Sequence, residues 1–230
     1  MSLVIIYTYL TFLWSCPPPL TTPEVYFGKE YEEAVQFCSQ NNKKLSEVFL
    51  QYHIDTEFAL SLVFPEILRY NMIRDFMETF TLELAYIHGG SQAANFSIGP
   101  FQMKPSFAEA IEKKIAGTNF DGNDYFNYQA DFSPIQVRRA RINRLKTLKW
   151  QAHYLAAFIY LQEKRFADVV WENENERLAI FATAYNYRFD ADIQDLARVR
   201  EAKYFPYGAR RANPFSYTFV ALHFYNSAAN

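Results

Sequence analysis

Cysteine, histidine and glycine are scarce in this sequence, and neither sign of charge dominates. Its 230 residues include 2 Cys, 4 His, 7 Gly and 10 Pro, with a formal net charge of −2. Two cysteines, Cys16 and Cys38, make neither a disulfide framework nor a zinc cluster. The four histidines (His53, His88, His153 and His223) are scattered without an H-E-x-x-H spacing, so no metal site is expected. Few glycines exclude collagen-like, low-complexity and many-turned all-β designs. Near-neutral charge gives no global attraction to nucleic acid or acidic lipid. No G-x-G-x-x-G, G-x-x-x-x-G-K-[ST] or G-x-S-x-G is present, so the chain has no recognisable nucleotide loop or serine-hydrolase elbow, and no cofactor is expected. What is abundant is apolar: half the residues are hydrophobic, with 22 Phe, 17 Tyr and 3 Trp, against 21% charged. Such a chain can bury a substantial core.

The N-terminus carries an apolar run from Leu3 to Trp14, too short to span a bilayer comfortably. It ends in Ser15-Cys16, followed by three prolines. Leu13 three residues before Cys16, a small residue just before it and a stiff tether after it resemble a bacterial lipoprotein processing site. That resemblance implies export to the bacterial cell envelope, periplasmic or outer-membrane, with a possible lipid anchor at Cys16. The alternative is a buried N-terminal strand or helix. Residues 1–23 are thus expected as signal or anchor with a Pro-rich tether, 24–54 as N-terminal helices packed on the rest, and 55–230 as the main domain.

The periodicity is helical. Tyr31, Ala34, Val35 and Cys38 share one face, as do Leu45, Val48, Phe49 and Tyr52. Asp55 or Thr56 is placed to cap a helix running through FALSLVF, apolar on all sides and hence central. Ile73, Phe76, Met77, Phe80 and Leu84 form a further stripe ended by Gly89-Gly90. A short helix starts near Ser106, with Phe107, Ile111 and Ile115 inward, and residues 118–133 read as an acidic, aromatic loop. One long helical stretch is expected from Pro134 to about Lys164, then helices through Leu178–Tyr185 and Ile193–Ala197, and some extended structure around Tyr217–Phe224. The class is all-α. The basic run Arg138, Arg139, Arg141, Arg144, Lys146 and Lys149 reads as a solvated helix face, or as a rail for an anionic polymer.

Three segments stand out. FALSLVFPEILRY places Glu66 at the end of a strongly apolar helix. SIGPFQMKPSFA (Ser97–Ala108) has a glycine turn, an amide and a Met-x-Pro step into a new helix. ATAYN (Ala182–Asn186) lies on a late helix. Singly, each has a bland reading: Glu66 as a first-turn acid after Pro65 that suits the helix dipole, Gly99-Pro100 as an ordinary turn, and Tyr185 as a core tyrosine.

In order and type, the three resemble the lysozyme-like superfamily, particularly soluble lytic transglycosylases, over roughly residues 55–190. Those enzymes carry an apolar helix ending in Glu-Ser, a Gly-Leu-Met-Gln-x-x-Pro stretch and Ala-Tyr-Asn. Here Ile67 follows Glu66, and Glu66 lies 33 residues before Gly99, about twice the family separation. Glu83, 16 residues before Gly99, fits the spacing better but in a more polar context, and stays as the rival acid. The resemblance implies a lysozyme-like helical domain with extra N-terminal helices that cleaves the glycan strands of peptidoglycan, with no nucleic-acid partner. It places Gln102 and Ser97 in the glycan cleft and Tyr185 and Asn186 opposite the glutamate, the phenol fixing the acid's orientation.

The chemistry needs such an acid to stay protonated near neutral pH, which burial beside apolar side chains promotes. Lysozyme is the worked example of this effect. A hydrolase also needs a second carboxylate, and none is obviously placed; a transglycosylase does without one. Aromatics at 120–132 (Phe120, Tyr125, Phe126, Tyr128) either stack on sugar faces or anchor the loop to the core. The alternative to an enzyme is a catalytically silent member of the same fold that binds glycan or an envelope partner. A single tetratricopeptide-like stretch (WQAHYLAAFIYLQEKRFADVV) has no second copy with which to stack.

Overall fold

The computed structural model describes residues 21–73, 79–207, 212 and 214–228. Helices make up 66% of the described residues, and the β pairing among them is two isolated bridges, Ile98 with Met103 and Phe205 with Phe215. The class is all-α, as the periodicity indicates. The expected leader and Cys16 lie outside the described residues.

Pro23, with its φ preset for a first turn, opens α1 (Pro23–Phe27). The two stripes expected between Tyr31 and Tyr52 belong to one helix, α2 (Lys29–Leu50), because Cys38 and Leu45 are seven residues apart and stay on the same face. Val35, expected inward, is 39% exposed. Helix α3 (Thr56–Ile73) is capped by Asp55, whose Oδ1 accepts from the Phe58 N–H at 2.7 Å. Every residue from Phe58 to Leu68 is buried. That burial carries the helix through Pro65 despite the lost backbone donor, so Glu66 sits mid-helix. The expectations that it ends a helix, or begins one and complements a dipole, are both corrected.

The stripe expected around residues 73–84 fails where it is described. In α4 (Phe80–Gly89), Phe80 is 72% exposed and Leu84 is also exposed, while Tyr86 and Ile87 point inward. Phe76 and Met77 lie outside the described residues. After the turn at 98–103 come α5 (Pro105–Ile115) and one helical turn, α6 (Asn123–Phe126). The expected long helix from Pro134 is two. Helix α7 (Pro134–Leu145), opened by a Ser133/Gln136 capping box, stops at Lys146, and α8 (Leu148–Arg165) restarts after Thr147. Asn173 and Asp192 cap α9 (Glu174–Asn186) and α10 (Ile193–Val199).

The C-terminal segment expected as extended is α11 (Tyr217–Ala228). It packs against α3 and α9, with Phe224 stacked on Phe64 at 3.9 Å between centroids. Its β-branched and aromatic residues favour strands only where a sheet exists to receive them. One hydrophobic core runs through these elements, with α3, α8 and α9 at its centre.

Arg139 and Lys149 of the basic run are exposed, as a solvated face would have them, but its other members are tied into the structure and form no free rail. Arg138 donates to the carbonyls of Ile87 and His88, and Arg144 to those of Phe126 and Asn127. Lys146 pairs with Glu83 at 2.6 Å. Arg141 is buried, with Nε and Nη2 on Glu112 Oε2 at 3.0 and 2.6 Å. The aromatic loop is largely anchored inward: Phe120 and Phe126 are buried, and Tyr128 donates to Glu112 Oε1 at 2.6 Å.

Candidate active site

Three separated parts of the chain meet at a cleft of about 540 Å³, within the ~300–1,000 Å³ common for ligand sites. Helix α3 supplies Glu66 and Arg69, the 97–104 segment supplies Ser97 and Gln102, and the end of α9 supplies Tyr185 and Asn186. Five of the six site residues expected from sequence therefore line one cavity. The sixth, Glu83, does not. It lies in the first turn of α4, accepting from Thr79 Oγ1 at 3.3 Å and held by Lys146.

The turn that presents Gln102 is held by an unusual set of constraints. Ile98 and Met103 exchange backbone hydrogen bonds of 3.0 and 3.1 Å, and Gln102 N–H closes back on the Gly99 carbonyl at 2.9 Å. Gly99 adopts φ +66°, and a Cβ there would fall 1.9 Å from Gln151 Nε2, so only glycine fits. Gln102 itself has φ +50°, a left-handed conformation that costs a non-glycine residue energy and that the surroundings must enforce. Gln151, buried on α8, does so. Its Nε2 donates to the carbonyls of Ile98 (2.8 Å) and Leu145 (2.7 Å), and its Oε1 accepts from Phe101 N–H at 2.9 Å.

Glu66 is only 4% exposed. Arg69 Nη1 donates to Glu66 Oε2 and to Gln102 Oε1, both at 3.0 Å, and Arg69 Nε donates to the Tyr207 carbonyl at 3.2 Å. The Arg69 guanidinium lies over the Tyr207 ring, 4.3 Å from its centroid, and the Tyr207 hydroxyl donates a short hydrogen bond to Glu66 Oε1. Burial pushes the Glu66 carboxyl above the usual carboxylate range, against the opposing pull of Arg69 and of the Tyr207 hydrogen bond. Burial, then the neighbouring Glu66 charge, raises the Tyr207 phenol, so it stays a neutral donor.

The residue that orients the glutamate is thus Tyr207. The Tyr185 phenol, expected in that role, donates instead to the Phe101 carbonyl at 2.7 Å and fixes the turn carrying Gln102. Ser97 is half-buried and Asn186 exposed at the cleft wall. Arg69, Tyr207 and Gln151 were not among the residues picked out by sequence. Arg69 had a readable signal, the i,i+3 spacing from Glu66 at the edge of an apolar helix. Tyr207, 141 residues from Glu66, had none. Lys104, Lys114, Arg188 and Asp190 also line the cleft, Asp190 exposed and 3.3 Å from Arg188. Among the described residues no cluster of three His, Cys, Asp or Glu is placed to hold a metal ion, and no helix is long and apolar enough to cross a membrane. Compared with protein-family models, curated proteins and solved structures, the chain matches none.

Proposed function

We propose that the protein is a lysozyme-like, peptidoglycan-cleaving glycosidase, a lytic transglycosylase in which Glu66 acts first as acid and then as base. The observation that supports this most is a single buried carboxyl at the floor of a ligand-sized cleft, raised toward its protonated form and surrounded by amide, hydroxyl and phenol groups suited to sugar hydroxyls.

In this reading protonated Glu66 delivers its proton to the glycosidic oxygen as the bond from that oxygen to C1 of the muramic unit breaks. The positive charge developing at C1 is quenched by the C6 hydroxyl oxygen of the same sugar, whose proton passes to the Glu66 carboxylate. The products are a free hydroxyl on the leaving sugar and a 1,6-anhydro end, with Glu66 protonated again. Tyr207 suits both steps, because a phenol donates to the carboxylate and accepts from the acid. Arg69 stabilises the carboxylate formed midway. Asn186 offers an exposed amide to the N-acetyl groups and hydroxyls of the strand, and Gln102, its Oε1 accepting from Arg69 and its Nε2 donating to the Gly99 carbonyl at 2.9 Å, keeps one Nε2 hydrogen for it.

A second reading is a silent glycan binder of the same fold. It is favoured by Glu66 being engaged on both oxygens, as a purely structural ion pair would be. Digestion of purified peptidoglycan by wild type, Glu66→Gln and Glu83→Gln, with products read by mass, separates the two. Anhydro ends lost only with Glu66→Gln support the transglycosylase. Hydrated reducing ends indicate a hydrolase and direct attention to Asp190, the other carboxylate of the cleft. Loss only with Glu83→Gln refutes the assignment of the acid, and binding without cleavage leaves the silent binder. An envelope location through Cys16 belongs to the same proposal; Cys16→Ser abolishing palmitate incorporation in cells is its test.

A further inference from the structure

Tyr207 separates two cavities. On one side is the cleft over Glu66; on the other is a pocket of about 260 Å³, and Asn186 and Tyr187 line both. The second pocket is smaller than the ~300–1,000 Å³ of a whole small-molecule site, so its size suits a branch of something held next door. Its wall is apolar and aromatic, including Val199, Ala202 and Tyr204, and Arg198 and Arg200 also line it. Both arginine side chains are more than a third exposed, and among the described residues each pairs with one acid, the half-buried Asp195 or the exposed Glu201. Arg198 meets Asp195 in a short contact and Arg200 meets Glu201 at 3.5 Å. Exposed pairs of this kind are weak and exchange readily for a ligand carboxylate.

We propose that this pocket receives the peptide branch of the muramic acid unit whose glycosidic bond is cleaved, an inference that rests on the glycan-strand reading above. The acid protonates the oxygen on C1 of that sugar, so the ring lies against Glu66 and Tyr207. The lactyl-peptide branch leaves from O3 of the same ring and has only to pass Tyr207 to enter the pocket. Its first residues are a small apolar side chain and a carboxylate-bearing residue, matching an apolar wall with guanidiniums beside it. The pocket is therefore a specificity site that reads whether the strand is substituted.

The test uses the full chain and muramyl dipeptide as probe, with N-acetylmuramic acid as its branchless control, in titrations followed by calorimetry. Ala202→Phe fills the pocket and Arg200→Glu reverses its charge; thermal melts establish that each folds, and the two act by different means, so one folded variant suffices. The expected result is binding of muramyl dipeptide well above the control, weakened about tenfold or more by a variant, equivalent to ~1.4 kcal/mol. No preference for the dipeptide, or a preference untouched by the folded variants, overturns the proposal. A parallel digestion of intact and amidase-stripped strands separates this inference from the catalytic one. Dipeptide binding that depends on the pocket without any cleavage keeps the pocket and refutes the glycosidase. Cleavage of both strands in the same ratio by wild type and variant keeps the glycosidase and refutes the pocket.

Discussion

Two buried carboxylate–arginine centres lie in this molecule, built from the same residue types and differing in how completely they are closed. At Glu112, Arg141 contributes two N–H donors to Oε2, while Tyr128 and Tyr154 donate to Oε1 at 2.6 and 2.5 Å. Four donors occupy roughly the four lone-pair positions of a carboxylate. The neighbouring Arg141 Nη1 is taken by Tyr86 Oη at 2.6 Å and Glu109 Oε1 at 3.3 Å. At Glu66 the described residues supply two donors, Arg69 and Tyr207, and the carboxyl faces a cleft. The first centre is saturated and ties α5, α7 and α8 together. The second keeps unused acceptor capacity and a carboxyl pushed toward its neutral form by burial. What distinguishes a structural acid from a candidate catalytic one here is spare valence next to open space.

The sharpest way to break that contrast is to neutralise each acid. Glu66→Gln is expected to cut glycan cleavage by ~10²–10⁴-fold, the usual worth of a positioned acid, while the thermal melt moves little. A variant that cleaves as wild type does would place Glu66 with Glu112 as a structural group. Glu112→Ala should do the reverse and destabilise by about 3–5 kcal/mol, because Arg141 is left buried without its main partner; urea unfolding reads this. A loss below about 1 kcal/mol would show that the saturated centre contributes little to stability.

Between these lies the turn under the cleft. Gly99→Ala should cost about 1–3 kcal/mol through its positive φ and the collision with Gln151. It should also lower cleavage by displacing Gln102, and Gln151→Ala should do likewise. Either variant retaining full activity would mean that the turn does not position the site.

The smallest effect is a pH dependence. The folded Glu66 carboxyl lies above its unfolded value, so protonation favours the folded state. Its contribution to stability is fully present below the unfolded value and is lost as pH rises through the folded one. The melting advantage of Glu66→Gln over wild type should therefore grow as pH is raised across that window. Tyr207→Phe removes a hydrogen bond that favours the charged form, so it should move the window, and the alkaline limb of any pH–rate profile, further upward. A downward movement would refute the assignment of Tyr207 as a donor to Glu66.

Much of this arrangement was legible along the chain. The all-round apolarity of FALSLVF marked α3 as central, Asp55 or Thr56 marked its start, with Asp55 the one that caps it, and the glycine turn before Met103-Lys104-Pro105 marked the entry to α5. The ordered segments around Glu66, Gln102 and Tyr185 pointed to residues that do meet. The misreadings share one cause. The α4 stripe, the run through Lys146 and the extended tail were read from local periodicity and propensity, and each was decided by neighbours from far away in sequence. Phe80 and Leu84 face outward because α4 buries Tyr86 and Ile87. The segment from Tyr217 is helical because α3 and α9 receive it.

The sequence by itself determined that this chain folds as helices around an aromatic core, and which apolar helix carries an embedded glutamate, because those features depend on composition and on spacings of three and four residues. Only the tertiary structure decided what that glutamate experiences. Its desolvation is the sum of side chains from distant elements, and Tyr207, its hydrogen-bond donor, arrives from 141 residues away. The difference between Glu66 and Glu112 likewise lies in how many donors converge on each and on which side the protein leaves room, properties of packing that no local pattern encodes.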